Sequence, residues 1–317
     1  MTTMTTLREQ LWSDLDVEAT LDAPIGALTW YEAGGRAEVL ILPRTIESLQ
    51  VLCRRCCEQG IAVRTLGSGA NLIVDDAGVN GVVVRLSRGA FQATAWPQET
   101  AGGLAHIGAG ADLMSLVQES ARRGLAGLSQ LAGIPASLGG AVRMNAGGSF
   151  GDTAQSIHTI ELLTPVGEIC IIPKVDLGFA YRTCNLPAGI VLAATVALAA
   201  TDPVKVRAHV KEVFEYKSRT QPMSDRSAGC MFKNPIDPST GQRQSAGRLI
   251  DLAGMKGTTL RSAFVSERHG NFIGLHAGGS TNDVLALALA VQQRVLDHAG
   301  IRLEREVVVW SQRGEDS

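Results

Sequence analysis

The chain has 317 residues, of which 45% are apolar and 19% charged, with a formal net charge of −2 and 4% aromatics. This is ordinary globular composition, long enough for two or three domains. The near-neutral charge and scarce aromatics argue against a polyanion surface or base-stacking platforms, so nucleic acid is not an expected partner.

The N-terminus, MTTMTTLREQ, lacks a basic segment followed by an apolar stretch, and the longest apolar run, Ile190 to Ala200, is too short to span a bilayer. A cytoplasmic location is the expectation. Residues 1–20 read as a helix or arm, and Arg36 to Pro43 as a buried strand. A helix opens at Thr45 and stops at Gly60, with cap residues at both ends. Its residues Ile46, Leu49, Cys53, Cys56 and Cys57 recur at intervals of three and four, which places them on one face. The alternative, a metal site in the CRRCC cluster, lacks a second Cys or His pair at ligand spacing.

Three further strands, Ile61 to Leu66, Asn71 to Asp75 and Gly81 to Leu86, surround the stretch Leu66 to Asp76, LGSGANLIVDD. Small residues there leave backbone N–H groups open to an anion such as a diphosphate. A dinucleotide fingerprint would need glycine where Leu72 stands, and a phosphate-binding P-loop would need a Lys followed by Ser or Thr. A tight turn in a β-rich domain is the competing reading. A second unit begins near Phe91, with a strand at Ala105 to Ala109 and a helix from Asp112 to about Gly124. The segment Leu131 to Gly148 is dense in glycine and proline and reads as a long loop, a second wall for a cofactor. Ser156 to Pro173 reads as a hairpin and Ile190 to Ala199 as a strand.

At Thr201 the pattern changes to a helix through about Ser218, with Val206, Val210, Val213 and Phe214 as its apolar stripe. The last third holds two glycine-punctuated loops, strands at Phe264 to Val265 and Asn271 to Leu275, a helix from Asn282 to His298, and a closing strand at Glu306 to Trp310. Three groups carry possible chemistry. In Tyr181-Arg182 the guanidinium can clamp a carboxylate, or simply face solvent. In Ser227 to Pro235, Cys230 is either a thiol acid or a buried Cys. In LEREV a carboxylate leads into an apolar strand, and one of Glu304 and Glu306 is a solvated residue.

Taken in order, eight motifs resemble one family, the UDP-N-acetylenolpyruvoylglucosamine reductases of peptidoglycan precursor synthesis. They are TWYEAGG from Thr29, LGSGANLIV from Leu66, AGIPASLGGAVRMNAG from Ala132, Tyr181-Arg182, SAGCMFKNP from Ser227, SAGRLIDLAGMKG from Ser245, SERHGNFI from Ser266, and LEREV from Leu303. The resemblance implies an α+β chain with an FAD-binding fold of the vanillyl-alcohol-oxidase (PCMH) type. Two FAD-binding subdomains, 1–90 and 91–200, would precede a substrate-binding domain at 201–317.

The resemblance further implies FAD and NADPH as cofactors and UDP-N-acetylglucosamine enolpyruvate as substrate, with no obligate protein partner. Hydride would pass from reduced flavin N5 to C3 of the enolpyruvyl group. Arg182 matches the arginine that holds the carboxylate and stabilises the enol form, Glu306 the glutamate working beside it, and Cys230 the proton donor to C2. A thiol is chemically suited to that role, with an unperturbed pKa of about 8.5. Flavin contacts fall on Gly67, Ser68, Gly69, Ala70, Asn71 and Leu72, and on Pro135, Ala136, Ser137, Gly139, Gly140 and Asn145. Substrate contacts fall on Tyr181, Arg219, Gln221, Lys233 and Asn234.

Two departures from the family pattern remove no reactive group: Ala136 stands where Gly is common, and Arg305 where Pro is usual. The short segment after Tyr181-Arg182 matches the family type without an extra substrate-covering insertion. A flavin oxidase of the same fold and a non-catalytic flavin-binding paralogue are the alternatives. No His lies in either glycine-rich loop for covalent flavin attachment, and joint retention of Arg182, Cys230 and Glu306 speaks against lost catalysis.

Overall fold

Burial alternates along the strand Ala37–Pro43, as the two-residue period of a half-covered sheet requires. The computed structural model describes residues 9–312 and 314–316. They divide into two compact units, and the chain passes from one to the other several times. The first unit contains the chain up to Leu21, Val39–Ser68 and Gly81–Tyr216; the second contains Asp22–Glu38, Gly69–Asn80 and the chain from Lys217 onward.

The first unit has two sheets. One has the spatial order Val17–Ala23, Ala37–Pro43, Val79–Val84, Val63–Thr65, and its last two strands run parallel. The other follows the order Ile169–Pro173, Ile157–Leu163, Ile190–Ala200, Gly103–Gly108, Thr94–Ala95, with antiparallel pairing throughout. Helices α1 (Ile46–Glu58), α2 (Leu113–Arg122), α3 (Leu138–Arg143) and most of α4 (Pro203–Thr220) accompany them. Thr45 caps α1 by accepting a hydrogen bond from the Ser48 N–H at 3.1 Å, and Asp112 caps α2 in the same way through Ser115 at 2.8 Å. One core joins these layers, drawing Leu49 and Leu52 from α1, Ile107 and Ala194 from the second sheet, and Val213 from α4.

The second unit is built around α5 (Ala246–Leu252) and α6 (Thr281–Ala299). An antiparallel sheet runs Thr259–Leu260, Ala263–Val265, Ile273–Leu275. A second sheet has the order Gly314–Asp316, Val308–Ser311, Leu72–Val74, in which Leu72–Val74 lies parallel to Val308–Ser311. Its core includes Tyr31, Ile73, Met231, Phe232, Ile250, Val265 and Val291.

Several expectations are corrected. Of the helix or arm read over 1–20, residues 1–8 lie outside the described residues; Glu9 is helical, residues 10–16 form turns and bends, and the strand Val17–Ala23 begins at Val17. Leu131 to Gly148 is not wholly irregular, because Ser137 caps the short helix α3 by accepting from the Gly140 N–H at 3.3 Å. Helix α5 was missed, although Ser245 caps it and Leu249 and Ile250 form its buried side. On α1 the buried stripe is Leu49, Leu52, Cys53 and Cys56, with Cys57 exposed at its edge. Phe214 is 43% exposed, outside the α4 stripe. Helix α4 as far as Tyr216 falls with the first unit, and its Val210 and Val213 pack into that unit's core.

Asp76, just after the strand Leu72–Val74, ties that strand to α6. Its carboxylate accepts hydrogen bonds from the Ser280 hydroxyl, the Thr281 hydroxyl at 2.9 Å and N–H at 3.2 Å, and the Asn282 carboxamide at 2.9 Å. These satisfy donors that a helix N-terminus otherwise leaves open. Burial, the largest single influence, pushes the Asp76 carboxyl up, but the hydrogen bonds from Ser280, Thr281 and Asn282 outweigh it and hold the group below its ordinary value. A carboxylate depressed on folding contributes stability that is present above its unfolded pKa and lost as pH falls through its folded one. Asp76→Asn is therefore expected to destabilise the protein by about 1 kcal/mol at neutral pH. Urea melts should show the gap from wild type closing as pH drops below about 4.

Candidate active site

The glycine-rich loop after Leu66 is held by chain on both sides. A Cβ at Gly67 would meet Ser137 Oγ at 2.7 Å, and the Ser68 hydroxyl donates to the Pro135 carbonyl at 3.1 Å. The two small-residue stretches thus meet within the first unit. In the second unit Gly69 has φ +72°, and a Cβ there would lie 2.5 Å from the Leu28 carbonyl oxygen. Glycine answers both constraints at once. Among the described residues, no backbone carbonyl or side chain takes the N–H groups of Gly67, Ser68, Gly69, Ala70 or Asn71. In the second unit the open donors of Gly69, Ala70 and Asn71 suit an anionic group.

Asn145, at φ +40°, is buried and spends its side chain on the chain itself. Its carboxamide donates to the Asp152 carboxylate at 3.2 Å and the Ala180 carbonyl at 3.0 Å, and accepts from the Ala154 N–H at 3.0 Å. The second glycine-rich stretch is thereby tied to the turn that bears Arg182. Ala180 and Thr183 exchange two backbone hydrogen bonds across that turn, at 3.0 and 3.2 Å. Arg182 occupies its third position with φ +58°, where Gly or Asn is the usual residue. Its guanidinium carbon sits 5.2 Å from the Tyr181 ring centroid, within cation–π range.

Cys230 and Glu306 both belong to the second unit, on neighbouring segments. Phe232 forms a bridge with Arg305, flanked by Glu306 N–H donating to the Met231 carbonyl at 2.9 Å and Lys233 N–H to the Glu304 carbonyl at 2.9 Å. Cys230 forms a bridge with Phe272 on another side. The glycine-rich loop reaches this pair directly, since the Asn71 carboxamide donates to the Glu306 carbonyl at 3.3 Å. Val308 N–H then returns a bond to the Asn71 carbonyl at 3.2 Å. Of the two LEREV glutamates, Glu304 is the exposed one, and it pairs with the Lys233 ammonium. Asn234 accepts the Ala246 N–H at 2.9 Å and so anchors the start of α5. Gln221 closes α4 through its N–H to the Lys217 carbonyl at 2.8 Å, whereas Arg219 is exposed. Arg305 Nε is buried with no acceptor among the described residues.

Comparison with known proteins decides the family. A UDP-N-acetylenolpyruvoylglucosamine reductase from Myxococcus xanthus is 38% identical over 293 residues, covering 92% of this chain and 91% of the relative. The chain belongs to the UDP-N-acetylenolpyruvoylglucosamine reductase family. A reductase of the same name from Syntrophus aciditrophicus is 36% identical over 97% of both chains. The crystal structure of UDP-N-acetylenolpyruvylglucosamine reductase from Thermus caldophilus superposes with a TM-score of 0.77 at 38% identity, covering 93% of this chain and 99% of that one. The family's C-terminal domain matches residues 221–310, and an FAD binding domain matches 37–172.

Within this reductase family member, sequence reasoning missed the bracing of the Cys230 segment by Asn271, although SERHGNFI lay in view. It also did not foresee Asn71 bonding the Glu306 backbone. Asn145→Ala should lower stability by about 1–3 kcal/mol, since it strands buried groups at Ala154 and Ala180. Urea melting reads the loss, and hydrogen exchange should show faster exchange at the Thr183 amide.

Proposed function

We propose that this reductase family member reduces the enolpyruvyl double bond of UDP-N-acetylglucosamine enolpyruvate, yielding UDP-N-acetylmuramate, with NADPH as reductant. The observation that carries the reading is the joining of Cys230 and Glu306 through neighbouring backbone, with Asn71 of the glycine-rich loop bonded to Glu306. Bound FAD supplies a two-electron carrier that accepts hydride from nicotinamide and makes it available to the substrate. The uncommitted N–H groups from Gly67 to Asn71 would hold its diphosphate, with Leu72 at the start of the strand beyond. Pro135, Ala136, Ser137, Gly139 and Gly140 would form the facing wall, and Asn145 would support that wall from behind.

When C3 of the enolpyruvyl group receives hydride, the π pair of the double bond moves toward C2 and the carboxylate. Arg182 answers that charge with two parallel hydrogen bonds to the carboxylate. Its left-handed backbone supports this reading: an Arg is kept where glycine fits more easily, and Tyr181 stacks on the guanidinium. Glu306 stabilises the enol form of the same group. Cys230 delivers its Sγ–H proton to C2, completing the new C–H bond, and the thiolate regains a proton from solvent.

The sugar nucleotide's diphosphate draws on Arg219, Gln221, Lys233 and Asn234, and a substrate oxygen would supply the missing acceptor for Arg305 Nε. Among the described residues no helix is long and apolar enough to cross a membrane. We place the reaction in the cytoplasm.

Purified enzyme reduced anaerobically with NADPH should recover its oxidised flavin absorbance on mixing with the enolpyruvyl substrate. If the flavin stays reduced until air is admitted, the substrate assignment fails and a flavin oxidase takes its place. Arg182→Ala and Glu306→Gln should each lower turnover by roughly 10²–10³ while flavin content stays near wild type. Near-normal turnover in either variant removes that residue from the mechanism.

A further inference from the structure

The acid-bearing segment Cys230 to Phe232 runs between two pieces of chain that hold it by different means. Toward Arg305 the hold is backbone on backbone, through Glu306 N–H to the Met231 carbonyl and Lys233 N–H to the Glu304 carbonyl, each at 2.9 Å. On its other partner the backbone contributes Met231 N–H to the Asn271 carbonyl at 2.7 Å. From there the chain turns, with Phe272 N–H donating back to the His269 carbonyl at 2.9 Å. Phe232 N–H and C=O would lack partners in that direction. Phe232 is 1% exposed, so water does not replace them.

The Asn271 side chain takes both. Its Oδ1 accepts the Phe232 N–H at 2.9 Å and its Nδ2 donates to the Phe232 carbonyl at 2.8 Å. A carboxamide carries an acceptor and donors side by side, as one edge of a peptide unit does, and so stands in for the missing strand. Asn271 is itself fixed: it is 2% exposed, and its N–H donates to His269 Nδ1 at 3.2 Å. An Asp here would accept from Phe232 N–H but donate nothing to the carbonyl, and an Ala would do neither.

We propose that Asn271 is a positioning residue for the proton-transfer step, holding the Phe232 backbone so that Cys230 and Glu306 keep a fixed mutual placement. Asn271 acts through the backbone and not on substrate. The inference rests on the assignment of Cys230 and Glu306 to the reduction of the enolpyruvyl group. Loosening the Phe232 end frees Cys230 to shift relative to Glu306, and displacements of this kind slow reactions without abolishing them.

The test separates the two half-reactions of the FAD-loaded enzyme by anaerobic stopped flow: flavin reduction by NADPH, and flavin reoxidation by UDP-N-acetylglucosamine enolpyruvate. Asn271→Ala should slow reoxidation by about 10²-fold while leaving reduction by NADPH within about twofold. Asn271→Asp, which keeps one of the two bonds, should fall between that variant and wild type. Asp76→Asn, destabilising at α6 but distant in role from this segment, should leave both rates near wild type and controls for general loosening. Unchanged reoxidation in Asn271→Ala, or equal slowing of both half-reactions, overturns the proposal. If Asn271→Ala does not accumulate as folded protein, Asn271→Asp decides on the same two rates; failure of both to fold makes the carboxamide a stability element and also overturns it. Cys230→Ala and Glu306→Gln run in parallel: normal reoxidation in these two refutes the assignment of the acid and its neighbour, whereas slow reoxidation there with normal Asn271→Ala refutes this inference alone.

Discussion

The parallel pairing of Leu72–Val74 with Val308–Ser311 is the constraint on which the chemistry proposed for the second unit depends. It brings the exit of the glycine-rich loop beside the strand that Glu306 introduces, although Asn71 and Glu306 are 235 residues apart in sequence. Asn71 then closes the junction by accepting from Val308 and donating to Glu306. The glycine-rich loop proposed for the cofactor and the glutamate proposed for the substrate are thus parts of one hydrogen-bonded structure. Their spacing follows from strand geometry and needs no separate device.

Polar side chains do much of the remaining work by substituting for backbone. Asn145 holds the Arg182 turn, Asn271 holds Phe232, Asn234 holds the start of α5, and Asp76 holds the start of α6. Each lies where two segments meet without a continuous ladder between them. A chain with many short strands has many such junctions, and a buried N–H or C=O at a junction must find a partner. The short polar side chains of Asn and Asp reach it at the lowest cost in conformational entropy.

The sequence pattern made the periodic elements legible: the Thr45-capped helix, the hairpin from Ser156 to Pro173 and the long helix before Gly300 all stand close to where periodicity puts them. What it hid has physical reasons. Helix α3 is short and carries Gly139 and Gly140, so its composition resembles loop and only the Ser137 cap gives it away. Helix α5 sits among glycines for the same reason. For the candidate site, the residue types and their motifs were visible, but the roles of Asn71, Asn145 and Asn271 were not. Those roles are set by partners far along the chain, and no local pattern encodes them.

The scattering of the second unit along the chain has a consequence for biosynthesis. Leu72–Val74 leaves the ribosome long before its partner Val308–Ser311. Until then the strand presents an unpaired apolar edge, the kind of surface that nascent chains expose to aggregation and chaperones. The glycine-rich loop that precedes it likewise lacks the Glu306 carbonyl as an anchor for Asn71. The anchor that Asn71 finds on the Glu306 carbonyl therefore forms only after residue 306 has been made. A chain stalled or clipped before residue 308 would keep helices α1 to α6 and lose the strand that pairs with Leu72–Val74.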